Sequence, residues 1–365
     1  MQGTMGFVER AAFSLRRLYT GYGYTQYKMS KFEEYDLYAQ NKDFLISDSV
    51  ITFTDLDGKL MALKPDVTLS IVKNCPRRSG GVQRLFYNEN VYRVANGGHA
   101  FREIMQVGLE CIGNVDDYCI AEVLFLAAKS LQTVSQEVVL DISHLGLLRE
   151  AMDSVGIPKE KQGRVVQLLS EKNAHELRTL CLDCGVSDAV FSQLVQLKGT
   201  PSEVLPQLTE LLKDYVNPET LNAFTNVLNV LESTPLAPML RVDFSVVDDL
   251  HYYNGFVFKG FVNGLPDSVL SGGQYDKLMQ KMKRAERAIG FAVYLDLLEQ
   301  LEQPDTGYDV DIVLLYEAGT PMQAVWQKAQ SLMAEGNRVM VLSTLDENVR
   351  YRTLMNMNRE EVVQP

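Results

Sequence analysis

Residues 85–112 read LFYNENVYRVANGGHAFREIMQVGLECI. The stretches 85–93 and 104–112 carry the β-branched and aromatic residues of two strands, and the Gly/Asn-rich segment VANGGHAF between them is predicted to be a loop. In the second strand Gln106 and Glu110 share parity, so both side chains point to one face with Gly108 between them. Glycine there leaves a floor without a side chain, which suits a small ligand lying between the amide and the carboxylate. The residues alone leave open that these are ordinary half-exposed strand positions with Gly108 at a bulge.

Working outward, 7–20 is predicted to be a helix with Phe13, Leu15, Leu18 and Tyr19 available for burial. Gly21 and Gly23 stop it, and Tyr24, Tyr27 and Met29 suggest a strand. SVITFTDLDGKLMAL (49–63) reads as two strands around an Asp57-Gly58 turn. Lys64-Pro65-Asp66-Val67-Thr68 stands at the end of the second. AEVLFLAAKSL is a helix and VVLDIS another strand. Asp66, Gln106 and Glu110 together would offer acceptors to an ammonium or an imidazole N–H.

From about 145 the composition shifts to short helices separated by Gly/Pro turns, most simply an all-helical insertion over 145–232. Strands resume at MLRVDFSVV, at a segment that begins with Tyr252-Tyr253, and at SVLSGG; GFAVYLDLLEQL is predicted to be a final helix. Gln303-Pro304-Asp305 resembles a linker. Beyond it VDIVLLY, PMQAVWQKAQSLMAEG and RVMVLS make one βαβ unit. Runs of strands broken by helices, without strict βαβ alternation, imply an α+β fold with a largely antiparallel sheet, over 1–144 and 233–302, followed by a small α/β unit over 303–365.

The 365 residues are 46% hydrophobic and 22% charged, which excludes a disordered or collagen-like chain. Lys+Arg 35 against Asp+Glu 47 gives −12, a balance that disfavours non-specific binding to nucleic acid or anionic membrane. No apolar run is long enough to span a bilayer, and the N-terminus lacks a secretory signal pattern. Five sparse cysteines point to a cytosolic protein with reduced thiols. Cys181 and Cys184 form a lone CxxC without a second ligand pair, so helix packing is expected and no metal. SGGQYD (271–276) could cradle a phosphate or simply turn the chain. His99, His144, His175 and His251 are scattered without ligand spacing; His251, before the double tyrosine, could serve the pocket or the structure. No nucleophile set is visible.

Five segments in this order, KPDVT, then YR with a Gly-rich loop and FREIMQVGLE, LHYYNGFVF, SGGQYD and AIGFAVYLDLL, resemble the histidyl-tRNA synthetases over about residues 5–300. The resemblance implies a class II synthetase-like antiparallel sheet flanked by helices, a dimer, and a pocket for histidine beside one for ATP. Position by position, it implies that Asp66 and Thr68 hold the histidine amino group and that Arg93 is the arginine reaching amino acid and phosphate. Gln106 and Glu110 match the family in identity and spacing, and Tyr252 and Tyr253 match the tyrosine pair beside the imidazole.

The catalytic positions depart from that pattern. Asp248 and Leu297 stand where the family has arginines, Ala95 replaces a glutamate, Gln274 an arginine, and Ser30 a proline at the dimer interface. Loss of one preorganised donor to a reacting phosphate costs about 3–4 kcal/mol, or 10²–10³ in rate. The C-terminal unit resembles a truncated anticodon-binding domain, so tRNA reading is not expected. This profile resembles the branch of the family that serves as the regulatory subunit of ATP phosphoribosyltransferase, in the first step of histidine biosynthesis. It implies a chain that is not itself an enzyme, with no cofactor, no metal and no membrane association. Its partners would be the short-form catalytic subunit and L-histidine as effector, with a homodimer inside a cytoplasmic hetero-oligomer. A divergent active histidyl-tRNA synthetase and a stand-alone histidine sensor are the alternatives.

Overall fold

A computed structural model describes residues 6–41, 50–76, 80–94, 100–247, 252–301, 308–346, 348–357 and 359–363. The chain divides into two compact units, Met1–Leu301 and Glu302–Pro365, each considered by itself. Ala95, His99, Asp248 and His251 lie outside the described residues.

In the first unit, α1 (Phe7–Gly21) buries Ala11, Leu15 and Tyr19, spaced four apart on one face. β1 (Thr25–Gln26), β2 (Phe32–Glu34), α2 (Tyr35–Ala39), β3 (Thr52–Thr54) and β4 (Leu60–Leu63) follow. β3 and β4 pair antiparallel around the expected Asp57-Gly58 turn, where Gly58 adopts φ +83°, a conformation glycine tolerates freely. With β2 they form a small three-stranded sheet. KPDVT does not simply end a strand: the chain enters α3 (Val67–Asn74) at once, because Asp66 caps it by accepting the Leu69 N–H at 2.8 Å.

β5 (Val82–Val94) and β6 (Phe101–Gly113) pair antiparallel from Val82↔Gly113 to Val94↔Phe101, outrunning the expected 85–93 and 104–112. Next come α4 (Asp117–Val134), β7 (Val138–His144), α5 (Leu145–Val155), α6 (Lys159–Ser170), α7 (Ala174–Asp183) and α8 (Ala189–Gln196). They are followed by β8 (Lys198–Gly199), α9 (Pro201–Leu212), α10 (Pro218–Glu232), β9 (Leu240–Asp243), β10 (Phe256–Val262), β11 (Leu270–Gln274), α11 (Asp276–Lys281), β12 (Arg287–Tyr294) and α12 (Leu295–Leu298).

Among the described residues the main sheet has nine strands in the order β1-β5-β6-β12-β11-β10-β7-β9-β8. Its neighbours are antiparallel except β1/β5 and β7/β9, which are parallel. Three expectations need correcting. The stretch 290–301 predicted as a final helix is helical only in its second part: 290–294 closes strand β12, where Ile289, Phe291 and Val293 alternate with Ala288, Gly290 and Ala292, and the chain turns helical over 295–298 and continues as a 3-10 turn over 299–301. Tyr252-Tyr253 precedes β10 and does not begin it. The segment 145–232 is not purely helical, since β8 pairs with β9 at the sheet edge.

Register fixes the two faces of the sheet. One carries Phe86, Leu109, Cys111, Ile142, Phe256, Phe258, Ile289 and Phe291, which join Leu15 and Tyr19 of α1, Leu124 of α4 and Phe224 of α10 in one core. Helices α5 to α10 share that core, so their apolar stripes are buried against the sheet's own helices. The other face presents Gln106, Gly108 and Glu110, with Gly290 directly across from Glu110 and Tyr87 across from Gly108.

The second unit contains β13 (Val310–Leu315), α13 (Met322–Ala334), β14 (Val339–Leu342), β15 (Tyr351–Asn356) and β16 (Arg359–Val363). β13 runs parallel to β14, the expected βαβ, and also parallel to β15; β16 then pairs antiparallel with β15. Ile312, Leu314, Ala329 and Leu332 make its small core.

Candidate functional site

Helix α3 presents its capping residue Asp66 and its second residue Thr68 toward the polar face of β6. The Thr68 hydroxyl donates to Glu110 Oε1 at 2.7 Å, and the Tyr275 hydroxyl donates to Glu110 Oε2 at 2.6 Å. Glu110 is 2% exposed, and burial pushes its carboxyl up to about 8 despite these two donors, which favour the charged form. Burial raises Asp66 as well, against the pull of the Leu69 N–H and the nearby Arg93 guanidinium. Arg93 itself donates to the Pro65 carbonyl at 3.0 Å. Lys64, fully buried, pairs with Glu89 at 2.9 Å, and Glu89 stands across from Gln106 on the neighbouring strand.

The aromatic wall is a chain of tyrosines. Tyr252 and Tyr253 meet edge to face at 4.6 Å between centroids, and Tyr252 tilts onto Tyr275 at 6.1 Å. Burial holds the Tyr252, Tyr275 and Tyr87 hydroxyls well above their ordinary value, so all three stay neutral donors at physiological pH. Tyr253 also lies over Gly273, where a Cβ would stand 2.6 Å from its ring.

Gly108 does not provide an open floor. The ring of Tyr87, its cross-strand partner, occupies that space, and a Cβ on Gly108 would overlap the Tyr87 hydroxyl and the Phe291 carbonyl. The glycine is there to admit a tyrosine. Gln106 is 3% exposed and shares its face of β6 with Glu110. The Asp66 carboxylate accepts from the backbone N–H groups of both Leu69 and Thr68.

The structure thus brings Asp66, Thr68, Arg93 and Glu110 together with Tyr252 and Tyr253 around α3 and β6, with Gln106 on the same face. Sequence reasoning missed Tyr87, Tyr275 and Gly290. Tyr275 stood inside the SGGQYD segment, whose glycines serve packing: Cβ atoms at Gly272 and Gly273 would strike Phe291 and Tyr253. His144 is structural, its Nδ1 accepting the Leu147 N–H at 3.1 Å as the cap of α5. Cys181 is buried in α7 and Cys184 caps it. Among the described residues no group of His, Cys, Asp and Glu is arranged to hold a metal ion, and no helix is long and apolar enough to cross a membrane.

The state of Glu110 has a measurable sign. A carboxyl raised above its unfolded value stabilises the fold fully below that value, about 4.3, and the contribution is lost as pH rises through the folded value. Stability should therefore fall between pH 4.5 and about 8 with a slope of up to roughly 1.4 kcal/mol per unit from this group. Glu110→Gln should flatten that slope in urea unfolding at a series of pH values; an unchanged slope would refute a neutral Glu110.

Residues 4–298 match the family model of histidyl-tRNA synthetase. The ATP phosphoribosyltransferase regulatory subunit of Oceanobacillus iheyensis is 26% identical over 295 residues, 79% of this chain and 72% of that protein. The histidine–tRNA ligase of Methanocaldococcus jannaschii is 28% identical over 298 residues, 80% of this chain and 70% of the ligase. The crystal structure of an ATP phosphoribosyltransferase regulatory subunit/histidyl-tRNA synthetase from Bacillus halodurans is similar at a TM-score of 0.79 and 25% identity, covering 98% of this chain and 96% of that one.

Proposed function

The chain belongs to the histidyl-tRNA synthetase family, and from that membership we propose that it acts as a non-catalytic regulatory subunit of ATP phosphoribosyltransferase, carrying feedback by L-histidine. The observation that carries this reading is a binding half kept beside a catalytic half replaced. Asp66, Thr68, Arg93, Glu110, Tyr252 and Tyr253 stand together, with Gln106 on the same strand face as Glu110. Leu297, at a position the resemblance assigns to a phosphate-holding arginine, packs against the apolar core instead. Its neighbour Asp296 is a half-buried carboxyl with one buried oxygen unpaired among the described residues, close enough to Arg93 and Arg102 to feel both charges. A carboxylate there repels a triphosphate.

L-Histidine fits by its chemistry. Its ammonium would meet the Asp66 carboxylate, its carboxylate Arg93, and its imidazole the tyrosine wall and the Glu110 carboxyl. The mechanism is linkage: histidine that binds one conformation of the complex more tightly shifts the population, and the coupling to substrate binding is reciprocal. The chain would work in the cytoplasm as a homodimer inside a hetero-oligomer with the short catalytic subunit.

The test is phosphoribosyl transfer from phosphoribosyl pyrophosphate to ATP by the cognate short catalytic subunit, with and without this chain. Activity is expected only on mixing; no change on mixing would overturn the reading. In the mixed complex, Gln106→Ala should relieve histidine inhibition while leaving activation intact, and inhibition equal to wild type would remove Gln106 from the pocket. A second reading, an active histidyl-tRNA synthetase, draws on the similarity to the M. jannaschii ligase. Histidine-dependent exchange of pyrophosphate into ATP would reveal it.

A further inference from the structure

Of the polar residues in SGGQYD, Tyr275 serves Glu110, which leaves Gln274 and Asp276 without a part in the pocket. Asp276 opens α11, and its carboxylate gathers donors from β11, from β12 and from the segment before β10. Its Oδ1 accepts the Ala288 N–H at 2.9 Å; its Oδ2 accepts the Gln274 amide at 2.7 Å and the Asn254 amide at 3.1 Å. The Asn254 side-chain oxygen in turn accepts the Asp276 N–H at 2.7 Å, so the two residues close a reciprocal pair across 22 positions. The Arg287 guanidinium, itself tied to the Val115 carbonyl at 2.8 Å, stands 3.5 Å from the same Oδ2.

Asn254 directly follows Tyr252-Tyr253, and this stretch has no strand ladder of its own, since β10 begins only at Phe256. Backbone outside a ladder is placed by the individual bonds it finds. Here the Asn254 N–H donates to the Gln274 carbonyl at 3.0 Å, the Gly255 carbonyl accepts the Leu145 N–H at 2.8 Å, and the pair with Asp276 adds a charged bond. Bonds to an ionised acceptor are roughly twice as strong as neutral ones. Glycines let the layers close: Tyr253 lies over Gly273, and a Cβ at Gly255 would overlap the Gln274 side chain. Gln274, 4% exposed, turns its amide to Asp276. A carboxylate at the centre of these donors repels a phosphate, so the motif braces the chain and does not cradle an anion.

We propose that Asp276 is the positioning residue of the aromatic wall: through Asn254 it sets where Tyr252 and Tyr253 stand above β11, and so how tightly the pocket holds the ring of its ligand. The proposal rests on the reading of this face as a histidine pocket. Asp276 acts on the ligand only through the tyrosines. Rings held in place before the ligand arrives bind it without the cost of being ordered, which for two such side chains is worth about 5- to 150-fold in affinity.

The experiment is hydrogen exchange by mass spectrometry on the full-length chain, with calorimetric titration of L-histidine on the same samples. Asp276→Asn keeps the acceptor for the Ala288 N–H but turns a donor toward Gln274 and Asn254. Exchange should quicken in the peptide covering 252–256 while α3 and β6 keep wild-type rates, and histidine affinity should fall by about 5- to 150-fold. Asn254→Ala removes the pair from its other side and should do the same, which keeps the test open if Asp276→Asn folds poorly. Asn254→Asp combined with Asp276→Asn rebuilds the pair with the carboxylate exchanged, and should recover both exchange and affinity; mere fragility would not be cured by a second substitution. Exchange that quickens equally in α3 and β6, or a double variant no tighter than Asp276→Asn, overturns the proposal. Should the wild-type chain bind no histidine, the histidine reading falls, and the exchange at 252–256 alone decides whether Asp276 places the tyrosines.

Discussion

Asparagine at position 66 is expected to weaken L-histidine binding by roughly 30- to 700-fold, about 2–4 kcal/mol, the usual cost of removing one charge from a buried hydrogen-bonded pair. The melting temperature should hold or rise. Both halves follow from what Asp66 does. As the cap of α3 its oxygen accepts the Leu69 N–H, a task asparagine performs equally well, so the start of the helix and the Thr68 hydroxyl stay in place. As a charge it is buried, and burial raises its folded pKa. Its contribution to stability is therefore complete below the unfolded carboxylate value and lost as pH rises through the folded one. Asparagine carries no such dependence, so its relative stability should grow with pH. Only the ammonium of a bound ligand turns that buried charge into an asset. Calorimetric titration and thermal melting on the same samples decide it: affinity within twofold of wild type, or affinity and melting temperature falling together, would return Asp66 to a purely structural role.

Much of the site was open to reading because its residues are local pairs. Gln106 and Glu110 lie on one strand, Asp66 and Thr68 flank one helix start, and Tyr252-Tyr253 are adjacent. Parity and capping rules reach that far. What escaped depends on register between strands or on contacts over long separations. Gly108 reads as an empty floor until β5 is aligned with β6, and then Tyr87 falls on it. Tyr275 donates to a carboxylate 165 positions away, a distance no local pattern spans. The helix expected over 290–301 begins only at 295, because a short apolar run does not distinguish helix from buried strand; the alternation of glycine and alanine with Ile289, Phe291 and Val293 was the available signal. Helix α3 carried its own signal in Pro65-Asp66, an N-cap before a run with Val67, Ile71 and Val72. The antiparallel character of the sheet was legible from the hairpins, while the two parallel pairs involve a two-residue strand and a strand beyond the helical segment.

Gly290 should tolerate no side chain. Its Cβ would overlap the Glu110 carboxylate and stand 2.5 Å from the Leu109 carbonyl. Neither neighbour can yield: Glu110 is fastened by Thr68 and Tyr275, and Leu109 belongs to a backbone ladder locked between β5 and β12. Overpacking a rigid site and stranding two buried hydroxyls together cost roughly 3–5 kcal/mol, so Gly290→Ala should lower the melting temperature by about 5–15 °C and abolish histidine binding. The pair Gly290→Ala with Glu110→Ala separates steric cause from general fragility. With the carboxylate gone the severest overlap is removed and only the Leu109 carbonyl contact remains, so the double variant should be more stable than Gly290→Ala alone while still failing to bind. Gly163→Ala sets the baseline: this glycine lies within α6 with nothing inside 4 Å, so alanine there should add about 0.5–1 kcal/mol. A Gly290→Ala protein that melts like wild type would mean that Glu110 moves freely, and a freely moving Glu110 could not hold the neutral, doubly bonded state from which this pocket is argued.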